Sequence, residues 1–152
     1  MEHKVKVVPA DMMVEHIQEL LKETDNVPLI ISGNSMSPFL VHGRDTVYLS
    51  RIENTLKRGD MVLYRRENGA YILHRIYKVN EMGCDMIGDA HSIVEPNIGF
   101  DNILAIVTAV KRKGKFLRHG SFWWLFFEKV WIRMIRIRPF CVKFYTKLAD
   151  KT

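Results

Sequence analysis

The sequence predicts a mainly β domain with one helix before it and an amphipathic helix after it. Strand-like segments occupy residues 46–49, 61–65, 71–79, 85–87 and 103–110. Apolar residues recur at helical spacing ahead of these segments, and a basic, aromatic-rich stretch follows them. The chain has 152 residues, of which 47% are hydrophobic, so it is long enough for a single domain with a substantial core.

The first helix is predicted at residues 11–23. A weak alternation over residues 4–8 stops at Pro9, and Asp11 is a suitable helix-capping residue. The apolar positions that follow have a helical period, at Met13, Ile17, Leu20 and Leu21. Residues 29–31 are apolar, and we expect them to form a short buried strand that leads directly into a polar turn.

A predicted hairpin sets the direction of one histidine. Residues 67–69 are Glu-Asn-Gly, and an Asn-Gly pair supplies the positive φ that a tight hairpin turn needs. On the strand that follows, His74 shares a face with Ile72 and Ile76, while Arg75 belongs to the opposite face. We therefore expect His74 to point toward the interior or a cleft.

Charge divides the chain into a near-neutral body and a basic tail. Residues 1–110 carry 11 Lys and Arg against 15 Asp and Glu, whereas residues 111–152 carry 12 against 2. We accordingly predict a β-rich domain over residues 1–118 and a basic aromatic tail over residues 119–152. No apolar run approaches the roughly 18 residues of a membrane span, and the N-terminus is too charged for a signal peptide. These features predict a cytoplasmic protein that associates peripherally with a membrane, rather than an integral membrane protein.

The tail is predicted to contain an amphipathic helix over residues 121–138, stopped or kinked by Pro139. Lys129, Arg133 and Arg136 share one face of this helix, and aromatic residues occupy most of the rest. Such a helix typically lies in the interface of an anionic membrane, where each basic residue contributes about 1 kcal/mol. Two alternatives stay open: the aromatics cover the β domain, or they bind another macromolecule. Nucleic acid is not expected, because the aromatics form one block instead of alternating along strands.

The candidate chemistry begins in the polar turn, where residues 32–38 are Ser-Gly-Asn-Ser-Met-Ser-Pro. A serine in such a turn is presented rather than packed, and it needs a general base to become a nucleophile. His74 is the candidate base, because a neutral imidazole is suited to reversible proton transfer near neutral pH. Asp89 could hold the second nitrogen of that ring. The candidate catalytic residues are therefore Ser35, His74 and Asp89.

Four short boxes occur in order within residues 29–110: Ser35-Met36-x-Pro38, Gly59-Asp60-Met61-Val62, His74-Arg75 and Gly88-Asp89. This order resembles the signal peptidase I and LexA-like serine peptidase superfamily. A histidine in the third box is similar to the archaeal and endoplasmic-reticulum branch of signal peptidases, whereas bacterial signal peptidases and LexA-type repressors have lysine there. The resemblance implies a compact signal-peptidase/LexA-like β-fold, with Ser35 as nucleophile and His74 as general base.

The resemblance also assigns acidic residues. It places Asp89 at the acid of that branch and Glu95 at a second acidic position, so either residue could complete a triad. Asp60 matches a position that closes a turn before a strand. One feature departs from the pattern here, because His91 replaces an asparagine expected after Gly-Asp-x.

Two further departures concern the anchor and the oxyanion. The N-terminal transmembrane anchor that most signal peptidases have is not found in the sequence. The residue two positions before the nucleophile is Gly33, which offers no hydroxyl to an oxyanion. The backbone N–H of Ser35 is then the expected donor, with Ser32 or Asn34 assisting.

The sequence thus predicts a serine endopeptidase that cleaves a signal or leader peptide from a precursor through an acyl-enzyme. The alternative is a non-catalytic module on the same scaffold, which docks on a membrane or a partner. LexA-like self-cleavage is disfavoured, since the chain contains no Ala-Gly or Cys-Gly bond. Neither a metal nor a cofactor is expected, because the other histidines lack partners at ligand spacing.

Overall fold

A computed structural model, which describes residues 9–149, contains one eight-stranded antiparallel sheet. The strands are β1 (Val27–Ile30), β2 (Thr46–Ser50), β3 (Met61–Arg65), β4 (Tyr71–Val79), β5 (Gly83–Ile87), β6 (Glu95–Gly99), β7 (Ile103–Arg112) and β8 (Lys115–Arg118). The mainly β class predicted from the sequence is confirmed. The weak alternation at residues 4–8 lies outside the described part of the chain.

The strand order is β1-β2-β7-β3-β4-β5-β6, and β8 pairs with the end of β7. The predicted hairpin joins β3 to β4, with Gly69 at a φ of 85°. Its register places Val62 opposite His74 and Tyr64 opposite Ile72. Tyr64 and His74 are therefore diagonal neighbours on the same face of the sheet, close enough for long side chains to meet.

Both faces of the sheet are covered at its centre, where the successive residues 61–64 of β3 are all apolar and buried. One face packs against helix α1 (Ala10–Glu23), whose buried residues are Val14, Ile17 and Leu21. The opposite face has a smaller cluster, formed by Val62, Tyr64, Ile76, Cys84, Met86, Ile98 and Ile103. The helical period that predicted the first helix thus corresponds to the side that α1 buries.

The C-terminal segment differs from the single helix predicted for residues 121–138. It forms a short helix α2 (Phe122–Leu125), a π-helical turn (Phe126–Val130), a 3-10 turn (Trp131–Arg133) and helix α3 (Arg138–Ala149). Trp124, Phe127 and Trp131 are buried in the larger core cluster, so these aromatics cover the β domain. Pro139 lies in the first turn of α3, where its missing N–H breaks no helical hydrogen bond. Among the described helices, none has both the length and the apolar character needed to cross a membrane.

Candidate active site

Ser35 lies in the loop between β1 and β2, half-buried at the edge of the core. The residues that follow Ser35 hold this loop in place, because Met36, Phe39 and Leu40 are buried in the core. The N–H of Ser37 donates to the carbonyl of Asn34 at 3.1 Å, which closes a turn around the serine. The loop is therefore fixed by its own apolar residues and presents Ser35 beside the sheet.

Two polar side chains that the sequence did not single out hold the same loop. His42 accepts a hydrogen bond at Nδ1 from the N–H of Gly33, at 2.8 Å. Asp45 is fully buried, and its carboxylate accepts the N–H of Val41 at 2.8 Å and that of Lys113 at 3.1 Å. These bonds connect the serine loop to the turn between β7 and β8.

His74 is buried on β4, with its two ring nitrogens facing different partners. Nδ1 lies 3.2 Å from the hydroxyl of Tyr64. Nε2 adjoins Gly88, since a Cβ added to that glycine would lie 2.9 Å from Nε2 and 2.6 Å from the carbonyl oxygen of Ser35. The N–H of Ala90 donates to the same carbonyl at 2.9 Å. The same Cβ position lies 2.8 Å from Nδ1 of His91, so Nε2 of His74, Nδ1 of His91 and the carbonyl of Ser35 surround Gly88.

The Tyr64 hydroxyl fixes which ring nitrogen of His74 carries the proton. A phenol has one proton to donate, and Tyr64 donates it to Glu95, whose oxygen lies 3.1 Å away. The hydroxyl oxygen can then only accept from His74, so Nδ1 is protonated and Nε2 bears the lone pair. The lone pair of His74 is therefore on the side of the ring that adjoins Gly88.

Arg66 keeps Glu95 ionised in this arrangement. Its guanidinium donates to both carboxylate oxygens, with the shortest distance 2.7 Å. Burial alone would raise the pKa of Glu95, but the hydrogen bonds and charge of Arg66 outweigh it and hold the pKa below its ordinary value. Burial also raises the pKa of the Tyr64 hydroxyl, with the negative charge of Glu95 adding to the effect, so that hydroxyl keeps its proton.

His74 is neutral in its folded environment. Burial lowers its pKa from 6.5 to about 4, and repulsion from His91 and Arg66 adds to this, while Glu95 acts in the opposite direction. The ring of His91 packs edge-on against that of His74, with centroids 5.3 Å apart. A neutral imidazole with a free lone pair can accept a proton, whereas an imidazolium cannot.

Among the described residues, no hydrogen bond links the Ser35 hydroxyl to His74. Catalytic hydrogen bonds are often long in substrate-free enzymes and shorten when substrate binds. Within residues 9–149, the N–H of Ser35 also has no hydrogen-bond acceptor; its role as the oxyanion donor stays a prediction. Ser32 and Asn34 are exposed in the same loop.

Asp89 is placed away from the role that the sequence assigned to it. Its carboxylate forms a two-point ion pair with Arg75, at 2.9 Å and 2.8 Å, and both side chains are fully buried. Arg75 and His74 are successive residues of a strand and point to opposite faces. Asp89 therefore binds the neighbour of His74, and the acid that reaches His74 is Glu95, acting through Tyr64.

An apolar cavity adjoins the loop that follows β5. It has a volume of about 590 Å³ and lies between residues 90–93 and the start of α3, with Ile93, Pro139 and Val142 in its lining. His91 also lines it, so the cavity begins beside the ring that packs on His74. This position provides room for an apolar side chain near His74.

Sequence reasoning missed Tyr64 and Arg66, although a signal for them was present. The Asn-Gly turn fixes the register of the β3–β4 hairpin, and residues 62, 64 and 66 then share the face of His74. Within the described part of the chain, no group of three or more His, Cys, Asp or Glu residues could hold a metal ion.

The side chains assembled around Ser35 are a hydroxyl, a neutral imidazole and the groups that orient that imidazole. These are the components of nucleophilic catalysis by serine. Comparison of the chain with family models, with curated proteins and with solved structures gives no match.

Proposed function

We propose that the protein is a serine endopeptidase in which Ser35 is the nucleophile and His74 is the general base. The observation that carries the proposal is the orientation of His74, whose Nδ1 contacts the Tyr64 hydroxyl and whose Nε2 adjoins Gly88, beside the carbonyl of Ser35. The four boxes that resemble the signal peptidase and LexA-like superfamily support the same reaction.

The proposed reaction has two steps. Nε2 of His74 takes the Ser35 proton as the serine oxygen bonds to the substrate carbonyl carbon, and the N–H of Ser35 stabilises the oxyanion. The imidazolium then gives its proton to the leaving amine as the peptide bond breaks. Water attacks the acyl-enzyme while His74 takes its proton, and the return of that proton to Ser35 releases the acid.

The proposed substrate is a signal or leader peptide within a precursor protein. The apolar cavity beside His91 supports a peptide with an aliphatic or aromatic residue near the cleaved bond.

A fluorogenic peptide library provides the test of the proposed function, applied to wild type, Ser35→Ala and His74→Ala. Ser50→Ala is the matched control, since this serine lies on β2 and its hydroxyl is hydrogen-bonded to that of Thr108, outside the candidate site. We expect turnover by wild type and the control only; turnover that survives Ser35→Ala would contradict the proposal.

We also propose that the protein binds an anionic membrane surface through α3 rather than through residues 121–138. Phe140 and Phe144 are 75% and 67% exposed, and with Leu148 they form a row at a spacing of four residues. Arg136, two residues before α3, and Lys147 on α3 are also exposed. An apolar row next to basic residues suits a helix that lies in the interface of an anionic bilayer.

Flotation with liposomes tests the membrane proposal. We expect binding to vesicles of phosphatidylserine and phosphatidylcholine, weakened by salt, and little binding to phosphatidylcholine alone. The double variant Phe140→Ser/Phe144→Ser should lose binding, while Phe116→Ser on β8 should retain it, although Phe116 is also exposed. Equal binding by both variants would reject α3 as the lipid-facing element. A folded wild type that binds vesicles but cleaves no peptide and reacts with no serine-directed probe would favour the non-catalytic docking module.

A further inference from the structure

The C-terminal segment binds the backbone of the loop that follows β5. The indole N–H of Trp131 donates to the carbonyl of Asp89 at 2.8 Å. The guanidinium of Arg138 donates to the carbonyls of Gly88 and His91, at 3.1 Å and 2.9 Å. Three of the four carbonyls of residues 88–91 therefore accept hydrogen bonds from two side chains of the segment that the sequence assigned to an anchor.

Arg138 is built into this contact. It is fully buried, although arginine is among the residues least often buried. Its remaining hydrogen bonds go to the carbonyl of Trp131, at 3.2 Å and 3.0 Å, and its guanidinium lies 5.6 Å from the centre of the Trp131 ring. A guanidinium is tolerated in such a place only when its N–H groups have acceptors. The two side chains therefore act as one unit.

The inner side of the same loop contacts the candidate catalytic pair. The N–H of Ala90 donates to the carbonyl of Ser35, and Gly88 adjoins Nε2 of His74. The loop is thus bound by the C-terminal segment on one side and by Ser35 on the other. A shift of the loop would change the separation of the serine hydroxyl from its base, and a misplacement of about 1 Å costs about 100-fold in rate.

We propose that Arg138 and Trp131 are positioning residues that hold Ser35 and His74 in reacting geometry through residues 88–91. The proposal rests on the proposed serine peptidase function. It assigns the C-terminal segment a part in catalysis that is separate from membrane binding, since these side chains face the loop and the apolar row of α3 is exposed.

The test compares Arg138→Met and Trp131→Phe with two matched controls. Arg118→Met makes the Arg→Met change at an exposed arginine on β8, and Trp123→Phe makes the Trp→Phe change at a half-exposed tryptophan. We expect the rate constant for labelling by a fluorophosphonate to fall about 100-fold in Arg138→Met and about 10-fold in Trp131→Phe. In peptide cleavage, kcat should fall while KM changes little. The controls should stay within twofold of wild type.

A second readout separates this inference from the proposed function. The amide of Ala90 should exchange with deuterium faster in Arg138→Met and Trp131→Phe than in their controls, at temperatures where all four proteins are folded. The faster exchange is expected even if wild type reacts with no fluorophosphonate. Such a lack of labelling would contradict the proposed peptidase function alone. The positioning role would be overturned if Arg138→Met and Trp131→Phe showed the same labelling rates and the same Ala90 exchange as their controls. It would also be overturned if the loss of activity in these variants equalled the fraction of protein that is unfolded. Trp131→Phe keeps the test open if Arg138→Met does not fold.

Discussion

The hydroxyl of Tyr64 lies 3.2 Å from Nδ1 of His74 and makes a tyrosine the group that orients the candidate base. The same hydroxyl donates to Glu95, so the carboxylate acts on the histidine through one intervening residue. Nδ1 of His74 is therefore held by Tyr64, whereas Nε2 adjoins Gly88, beside the Ser35 loop.

Removal of the Tyr64 hydroxyl should weaken the base without unfolding the protein. Tyr64→Phe leaves the Nδ1–H of His74 without its acceptor and frees the ring to take the other tautomer. We expect kcat for peptide cleavage to fall by about 10- to 100-fold, within the range that general-base catalysis contributes. Tyr71→Phe, at the start of β4, should have less than a twofold effect. Equal activities of the two variants would remove Tyr64 from the mechanism.

Glu95→Gln should reverse the direction of the hydrogen bonds. The new amide can donate to the Tyr64 hydroxyl, which then donates to Nδ1 of His74 and moves the imidazole proton to Nε2. A histidine protonated at Nε2 cannot accept the serine proton, so we expect kcat to fall by about 100-fold or more. Nitrogen-15 NMR of labelled histidine should report the change of tautomer. An unchanged tautomer with unchanged kcat would show that Glu95 does not act on His74.

The activity should persist in acid. Because burial, with His91 and Arg66, lowers the pKa of His74 to about 4, kcat/KM should fall only as the pH approaches that value. His91→Asn removes one repulsive charge and should move this midpoint upward, but not to 6.5, since burial is the larger cause. A pH–rate profile measures both midpoints. An acid limb near pH 6.5 in wild type would mean that His74 is not the base or is not buried during catalysis.

His74 also links stability to pH. The unfolded chain binds a proton at this residue near pH 6.5, whereas the folded protein does so only near pH 4. The contribution of neutral His74 to the free energy of unfolding is therefore fully present above pH 6.5 and is lost as the pH falls toward 4. The full shift corresponds to about 3 kcal/mol. Urea unfolding at pH 7 and pH 4.5 should show a smaller pH difference in His74→Gln than in wild type.

Asp89→Asn should act mainly on stability. It leaves the fully buried charge of Arg75 without its partner, which destabilises a protein by about 3–5 kcal/mol. Replacement of both residues, as Arg75→Met/Asp89→Leu, should recover much of this free energy of unfolding. The activity of the folded fraction of Asp89→Asn should keep the acid midpoint of wild type. A shifted midpoint would restore Asp89 as a member of the triad.

Gly88→Ala should disrupt the site because its new Cβ would meet the carbonyl of Ser35 at 2.6 Å, and a backbone atom cannot rotate away. We expect a loss of about 1–3 kcal/mol in the free energy of unfolding and a larger proportional loss of kcat. Gly99→Ala is the matched control, since its Cβ would meet only a side chain at 3.8 Å and its φ of −63° suits alanine. Similar effects of the two substitutions would argue against close contact at Gly88.

Local sequence rules predicted most of the strands but missed β6 and β8. The strand predicted at residues 29–31 is the edge strand β1, which is not buried as expected, since Ile30 is 68% exposed. β3 and β4 were found at the bounds that the structure has, because apolar residues and an Asn-Gly turn mark them. β6 was missed since it contains Pro96 and Asn97, the latter with a φ of 62°. A strand at the sheet edge tolerates such residues because one side makes no ladder hydrogen bonds.

The roles of the charged residues could not be predicted, because they depend on which partners the fold supplies. The sequence places Asp89 after a strand, but it does not say whether the carboxylate reaches His74 or Arg75. The surroundings of the C-terminal aromatics could not be predicted for the same reason, because the sequence pattern of an apolar helical face is the same whether protein or lipid covers it. Trp131 packs on the body, whereas Phe140 stays exposed.

Labelling by a fluorophosphonate, with the modified residue identified by mass spectrometry, is the most direct test of Ser35 as an activated nucleophile. We predict one adduct per chain, located on Ser35, formed by wild type and abolished in His74→Ala as well as in Ser35→Ala. The rate of labelling should be unchanged between pH 7 and pH 5.5, because His74 stays neutral over that range. A folded wild type that forms no adduct, or an adduct at another serine, would contradict the account.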